Sequence, residues 1–173
     1  MDLVGLKNII RHVPDFPKAG IDFLDITPVL SDSEAFGYVI SNFLKELENI
    51  NFDIIVSLES RGFIFGAPIA HSLKKAFVPI RKKNKLPWEK ISVKYDLEYG
   101  FDIFEMHSDA IKPGQKVVII DDLLATGGTL EASGKLIEKL DGETVKALFF
   151  IELEHLHGRE KIAGYDIYSI LKI

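Results

Sequence analysis

Apolar positions along the chain follow two alternating spacings. Leu3, Leu6, Ile9, Ile10 and Val13 recur at three- and four-residue intervals behind Asp2. This is the stripe of an amphipathic helix with a carboxylate placed to cap it. After the turn-rich stretch PDFPKAG (14–20), Ser33 is the predicted cap of a second helix whose apolar face holds Phe36, Val39, Ile40, Phe43, Leu44 and Leu47. Five short apolar runs of strand length come next, at 53–58, 76–80, 116–121, 145–151 and 165–170. Helical patterns over 62–74, 128–140 and 156–162 separate several of them. Short apolar strands alternating with helices predict an α/β fold around a mostly parallel sheet covered on both faces.

The segment 81–107 breaks the alternation. It is polar and basic at first, then strand-like, and predicts an excursion from the core as a hairpin or a mobile flap. No repeat or linker interrupts the chain, so 1–173 is expected to form one domain. At 173 residues, 47% hydrophobic and 27% charged, the composition suits a globular protein with one sizeable core. No apolar run nears the ~18 residues of a membrane span, and MDLVGLKNIIRHV does not read as a secretory signal. The chain has no cysteine. That removes thiolate chemistry and agrees with the cytoplasmic location we expect. A net charge of -5 argues against nucleic acid as a main partner.

The densest chemistry lies in VVIIDDLLATGGTL (117–130). An apolar strand runs into Asp121 and Asp122, and a short loop then leads into a helix near Thr129. In an α/β sheet such a strand end faces the ligand edge. Gly127 and Gly128 let the backbone turn tightly. The helix N-terminus, with the hydroxyls of Thr126 and Thr129, suits a phosphate. The two carboxylates repel phosphate but can accept hydrogen bonds from sugar hydroxyls. Loop and acids together describe a cradle for a ribose 5-phosphate. The plainer alternative is an ordinary strand–turn–helix with acids at the strand end. The lysine of a GxxxxGK[ST] loop and the GxGxxG pattern are both missing.

This segment resembles the signature of the type I phosphoribosyltransferases, and colinear pieces resemble the branch of that family that uses adenine. FPKAGIDFLDITPVL (16–30) is similar to its base-recognition segment and ESRGFIFGAPIA (59–70) to its pyrophosphate loop; RKKNKLP (81–87), YDLEYG (95–100) and GREKI (158–162) also match. The resemblance implies a twisted, mostly parallel sheet flanked by helices. It adds an N-terminal hood over 1–30 and a flexible loop and hairpin over 81–107. It implies transfer of a phosphoribosyl group from phosphoribosyl pyrophosphate to adenine, giving AMP and pyrophosphate in purine salvage, and it implies a homodimer. Asp121 and Asp122 would hold the ribose hydroxyls, and Ala125, Thr126, Gly127, Gly128 and Thr129 the 5-phosphate. Ser60, Arg61, Arg81 and Lys85 would hold pyrophosphate. A non-proline cis peptide is implied at Ser60–Arg61. Magnesium would be held by substrate and water with no direct protein ligand, Asp121 or Asp122 reaching it through water. Glu98 would manage the proton lost from the purine, with Arg61 as its catalytic companion. Asp22, Phe23 and Leu24 would read the base.

Each assignment competes with a simpler one: a surface ion pair for Arg61, a solvated face for the basic run, a hairpin glutamate for Glu98, core packing for Phe23. His155 and His157 lack a third ligand at metal spacing and read as turn or surface residues. The chain also departs from the family pattern. Leu24 stands where arginine is expected and Ala19 where proline is, while Asn84 and Trp88 occupy positions where glycine is more usual. A transferase for xanthine, hypoxanthine or orotate therefore stays open. So does a non-catalytic sensor of phosphoribosyl pyrophosphate, although no basic recognition helix is left over for one.

Overall fold

The helix-forming stripe behind Asp2 folds as α1 (Leu3–Ile9), and the Asp2 carboxylate accepts a hydrogen bond from the Gly5 amide at 2.7 Å. β1 (Arg11–Pro14) and β2 (Asp22–Asp25) pair antiparallel as a small sheet of their own. The short α2 (Thr27–Ser31) then leads into α3 (Ser33–Leu47). The cap of α3 is Asp32, one residue before the serine expected from the sequence. Its carboxylate accepts hydrogen bonds from the amides of Glu34 and Ala35 at 2.9 and 3.0 Å. A carboxylate also meets the positive end of the helix dipole with full charge, which a hydroxyl cannot do. This computed structural model describes residues 1–96, 101–162 and 164–173, without the side chains of Asp96 and Lys161.

The remaining elements run β3 (Ile54–Leu58), α4 (Gly62–Leu73), β4 (Ala76–Lys82), β5 (Lys90–Asp96), β6 (Phe101–His107), β7 (Lys116–Leu124), α5 (Gly128–Glu138), β8 (Glu143–Glu152) and β9 (Ile167–Lys172). They form one seven-stranded sheet in the order β5-β6-β4-β3-β7-β8-β9. β3, β4, β7, β8 and β9 are parallel, and the β5–β6 hairpin joins antiparallel through β4. Alternate residues of β8 feed two cores. Phe150 packs with Phe43 and Phe65 under α3 and α4, while Phe149 packs with Leu136 of α5 and Phe104 of the hairpin. Every residue of β3 is buried, as a central parallel strand requires.

Two features differ from the sequence expectation. β7 continues past the acid pair to Leu124, because Leu123 and Leu124 keep pairing with Ile151 and Glu152 of β8. Asp121 and Asp122 are therefore held inside a hydrogen-bonded ladder. Residues 156–162 do not form an α-helix. Two 3-10 turns, Glu154–Leu156 and Gly158–Ile162, are separated by His157 at a φ of 51°, a left-handed value that ends a helix. The excursion at 81–107 contains the expected hairpin, β5–β6, which joins the sheet with Arg81 opposite Glu105 and Lys82 opposite Phe104.

The two candidate caps of α3 are separable by mutation. Asp32→Ala is expected to cost about 1 kcal/mol, a fall of roughly 2–4 °C in Tm. Ser33→Ala, at an exposed first-turn position, should stay within about 0.5 kcal/mol. Thermal denaturation of the two variants checks both.

Candidate active site

Parallel strands deliver their carboxyl ends to one edge, and β3 and β7 are neighbours there. Beyond β3 the chain turns through Glu59, Ser60 and Arg61 into α4; beyond β7 it turns through 125–127 into α5. Between them opens a cleft of about 430 Å³ lined by Phe23, Leu58, Glu59, Ser60, Arg61, Lys82, Tyr95, Phe104, Asp121, Asp122 and Thr129. The base segment, the pyrophosphate loop, both acids and the start of α5 thus share one cavity.

Asp121 and Asp122 are 8% and 6% exposed. Burial, and for Asp121 the negative neighbour beside it, pushes both carboxyls above the ordinary carboxylate range. The Arg61 guanidinium partly offsets this, with Nε 2.7 Å from the Asp122 carboxylate. The same guanidinium lies 5.2 Å from the centre of the Phe23 ring and donates from Nη1 to the Leu24 carbonyl at 3.5 Å. Arg61 is therefore no simple surface ion pair. It ties the acid pair to the Phe23–Leu24 segment.

The turn after β7 depends on Gly127, whose φ of 84° suits a residue without a side chain. It delivers the chain into α5 with no side-chain cap. The first amides of that helix are left without intrahelical acceptors, an arrangement that binds an anion. Thr129 contributes the wall nearest the acids.

A second cleft of about 480 Å³ adjoins the turn at Ala125. It is lined by Gly20, Ile21, Asp22 and Leu24 on one side and by Leu153, His155, Leu156 and Ile173 on the other. The half-buried Phe23 faces the first cleft, edge-on to Phe16 at 5.2 Å. The Leu24 side chain belongs to the core cluster, so its carbonyl is what it offers to Arg61. An apolar residue is accommodated there for that reason. Asn84 has a φ of 66°, which accounts for the glycine more usual at that place: asparagine tolerates the left-handed region.

The basic run is not assembled as expected. The Arg81 side chain turns to Glu59, with Nε and Nη2 donating to the carboxylate at 3.0 and 3.4 Å. That hydrogen bond holds Glu59 below its usual carboxylate range. Lys85 is exposed and lies outside the cleft lining, whereas Lys82 is part of it and pairs with Asp102 at 3.3 Å. Glu98 lies outside the described residues. The non-proline cis peptide is Glu59–Ser60, one bond earlier than the resemblance implied. Sequence reasoning missed Lys82, Tyr95 and the wall at Leu153 and Leu156. Only the position of LEHLHG directly after a strand end hinted at that wall. Among the described residues, no three His, Asp or Glu side chains cluster to cage a metal.

Comparison with known proteins places these features. The model of the phosphoribosyl transferase domain matches residues 32–172. The adenine phosphoribosyltransferase of Acetivibrio thermocellus is 60% identical over 98% of this chain and 99% of its own length. The crystal structure of the enzyme of that name from Thermoanaerobacter pseudethanolicus superposes with a TM-score of 0.97 at 54% identity, covering 99% of this chain and all of that one. The Saccharomyces cerevisiae adenine phosphoribosyltransferase was solved with adenine and an imino-altritol bisphosphate. It superposes at 0.93 with 39% identity over 98% of both chains. With its acid pair, uncapped helix start and two adjoining clefts built on that fold, this chain belongs to the phosphoribosyltransferase family, in its adenine phosphoribosyltransferase branch.

Proposed function

We propose that this protein transfers the 5-phosphoribosyl group of phosphoribosyl pyrophosphate to adenine, releasing pyrophosphate and forming AMP. The observation that carries the site assignment is the convergence of the acid pair, the open α5 N-terminus and the Ser60–Arg61 loop on one cleft, with a second cleft alongside. Each half fits one end of the reaction. The turn from Ala125 to Thr129 supplies amides and hydroxyls to a 5-phosphate. Asp121 and Asp122 accept hydrogen bonds from the ribose 2- and 3-hydroxyls. Ser60 and Arg61 lie where pyrophosphate leaves, with Lys82, Arg81 and Lys85 on the adjacent strand end and loop. The base sits between Asp22–Leu24 and Leu153–Leu156, where main-chain groups read the 6-amino edge, with the Phe23 ring on the side that opens to the first cleft.

In the reaction the bond from C1 of the ribose to the pyrophosphate oxygen breaks and a bond from C1 to N9 of adenine forms, with inversion. The proton on N9 leaves, and Glu98 is its proposed acceptor. Positive charge grows on the ribosyl ring as the bond breaks, beside two carboxylates, and negative charge grows on the leaving group, beside Arg61. The acid pair and the oxygen-rich substrate fit a magnesium ion held by pyrophosphate, sugar hydroxyls and water, with Asp121 or Asp122 in reach through water. When bound, the ion neutralises charge on the pyrophosphate. Arg61 engages one oxygen of Asp122, Oδ2, at 2.7 Å, which leaves the other free to accept a sugar hydroxyl while the guanidinium stays beside the leaving group. We place the protein in the cytoplasm as a homodimer, in line with a cysteine-free chain and the resemblance to its family.

Pyrophosphate release with magnesium and a panel of bases tests this reading. Adenine should exceed hypoxanthine, xanthine and orotate by about 10³-fold or more in kcat/KM, as sites that pair with a substrate N–H reject analogues lacking it. Equal turnover of another base would overturn the assignment of adenine. Asp122→Asn and Arg61→Ala should each lower kcat/KM at least ~100-fold, or ~2.7 kcal/mol.

The acid pair also carries a stability cost with a defined pH dependence. The folded-state pKa of Asp121 is raised, so ionising it opposes folding once pH passes the ordinary carboxylate range. Asp121→Asn should therefore melt higher than the parent at pH 7, by ~3 °C or more if ~1 kcal/mol is recovered. The difference should vanish below about pH 4, where the carboxyl is protonated in both states. Melting curves across pH read this directly.

A further inference from the structure

The segment that follows β8 has no long helix to stiffen it, yet it touches both clefts. Leu153, His155 and Leu156 line the second cleft. Gly158 lies backbone to backbone against the phosphate turn. A side chain at Gly158 would collide with the Ala125 carbonyl and stand 2.9 Å from the Gly127 amide nitrogen. A side chain at Gly127 would meet the Gly158 carbonyl oxygen at 2.5 Å. Two 3-10 turns, whose hydrogen bonds are poorer than those of an α-helix, would not by themselves hold so close an approach.

The neighbouring residue anchors them. Arg159 reaches back to the end of β8, with Nε and Nη2 donating to the two oxygens of Glu152 at 2.9 and 2.5 Å. Its Nη1 donates to the Ile167 carbonyl at 2.7 Å, at the start of β9. The Glu152 side chain is 7% exposed and also accepts from the Ser169 hydroxyl at 2.7 Å. A two-pronged pair between a half-buried guanidinium and a buried carboxylate is a directional contact that lysine cannot reproduce. One end of this clamp is fixed in the sheet, and the other is one peptide from Gly158.

We propose that Arg159 and Glu152 are positioning residues for the 5-phosphate: their clamp presses the Gly158 backbone against Ala125–Gly127 and keeps the turn in its anion-binding shape. The proposal rests on the reading of that turn as the phosphate cradle. The clamp touches no substrate. It acts on the phosphate turn and leaves the Ser60–Arg61 loop, carried by β3 and α4, alone.

This division sets the test. Binding of ribose 5-phosphate and of pyrophosphate with magnesium is measured by calorimetry for the parent, Arg159→Lys, Arg159→Ala and Glu152→Gln. Each variant should bind ribose 5-phosphate at least tenfold more weakly, with pyrophosphate affinity within twofold of the parent. Unchanged ribose 5-phosphate affinity in folded variants overturns the proposal, and so does a parallel loss of both ligands, which marks a general structural defect. Should the arginine variants fail to fold, Glu152→Gln and Ser169→Ala decide by the same criteria, Ser169→Ala with a smaller loss of two- to fivefold. Thr129→Ala separates the proposal from the reading beneath it. If Thr129→Ala binds ribose 5-phosphate as the parent does, the cradle itself is wrong and the brace falls with it. If Thr129→Ala weakens binding and the clamp variants do not, only the brace fails.

Discussion

Two adjacent carboxylates buried on one strand are the constraint around which this molecule is arranged. A single buried acid is costly, and a second beside it raises the cost of ionising either. The sheet keeps both in place through the β7–β8 ladder, and one cation, Arg61, answers them from the neighbouring strand's loop. That cation also reaches the Leu24 carbonyl and the Phe23 ring. The Ser60–Arg61 loop, the acid pair and the Phe23–Leu24 segment are thereby joined through one guanidinium.

The fold supplies this arrangement economically. Parallel pairing sends β3 and β7 to the same edge, so a strand–turn–helix from each contributes one half of the polar cleft. The small β1–β2 sheet covers the site from outside the main sheet, and the far end of the chain, through Leu156 and Ile173, closes the second cleft. Residues from both ends of the sequence meet over the ligand edge, while the two cores on either side of the sheet keep that edge rigid.

Much of this was legible in the residues. Strand and helix positions followed from spacing because a doubly covered sheet makes continuous apolar runs, and the phosphate turn was readable because acids, glycines and threonines crowd one short segment. What escaped depended on partners distant in sequence. Ser33 looked like a cap until the Asp32 carboxylate was seen on two amides. Arg81 looked free to bind an anion, but the turn after β3 brings Glu59 within 3.0 Å of it. Leu24 looked anomalous for its place, yet its side chain packs in the core at the edge of the second cleft and its carbonyl accepts from Arg61. The wall formed by Leu153 and Leu156 had no residue type to announce it, since an apolar side chain reads as core until the chain is folded.

The close approach of Gly127 and Gly158 has an evolutionary corollary. Where two stretches of bare backbone meet, a larger residue at either glycine forces the backbone to shift, so these two positions have little room to vary. The second cleft is bounded by ordinary side chains from two independent segments, which can be exchanged one at a time. Changes in the Asp22–Leu24 and Leu153–Leu156 walls would therefore reshape the second cleft without disturbing the Gly127–Gly158 contact.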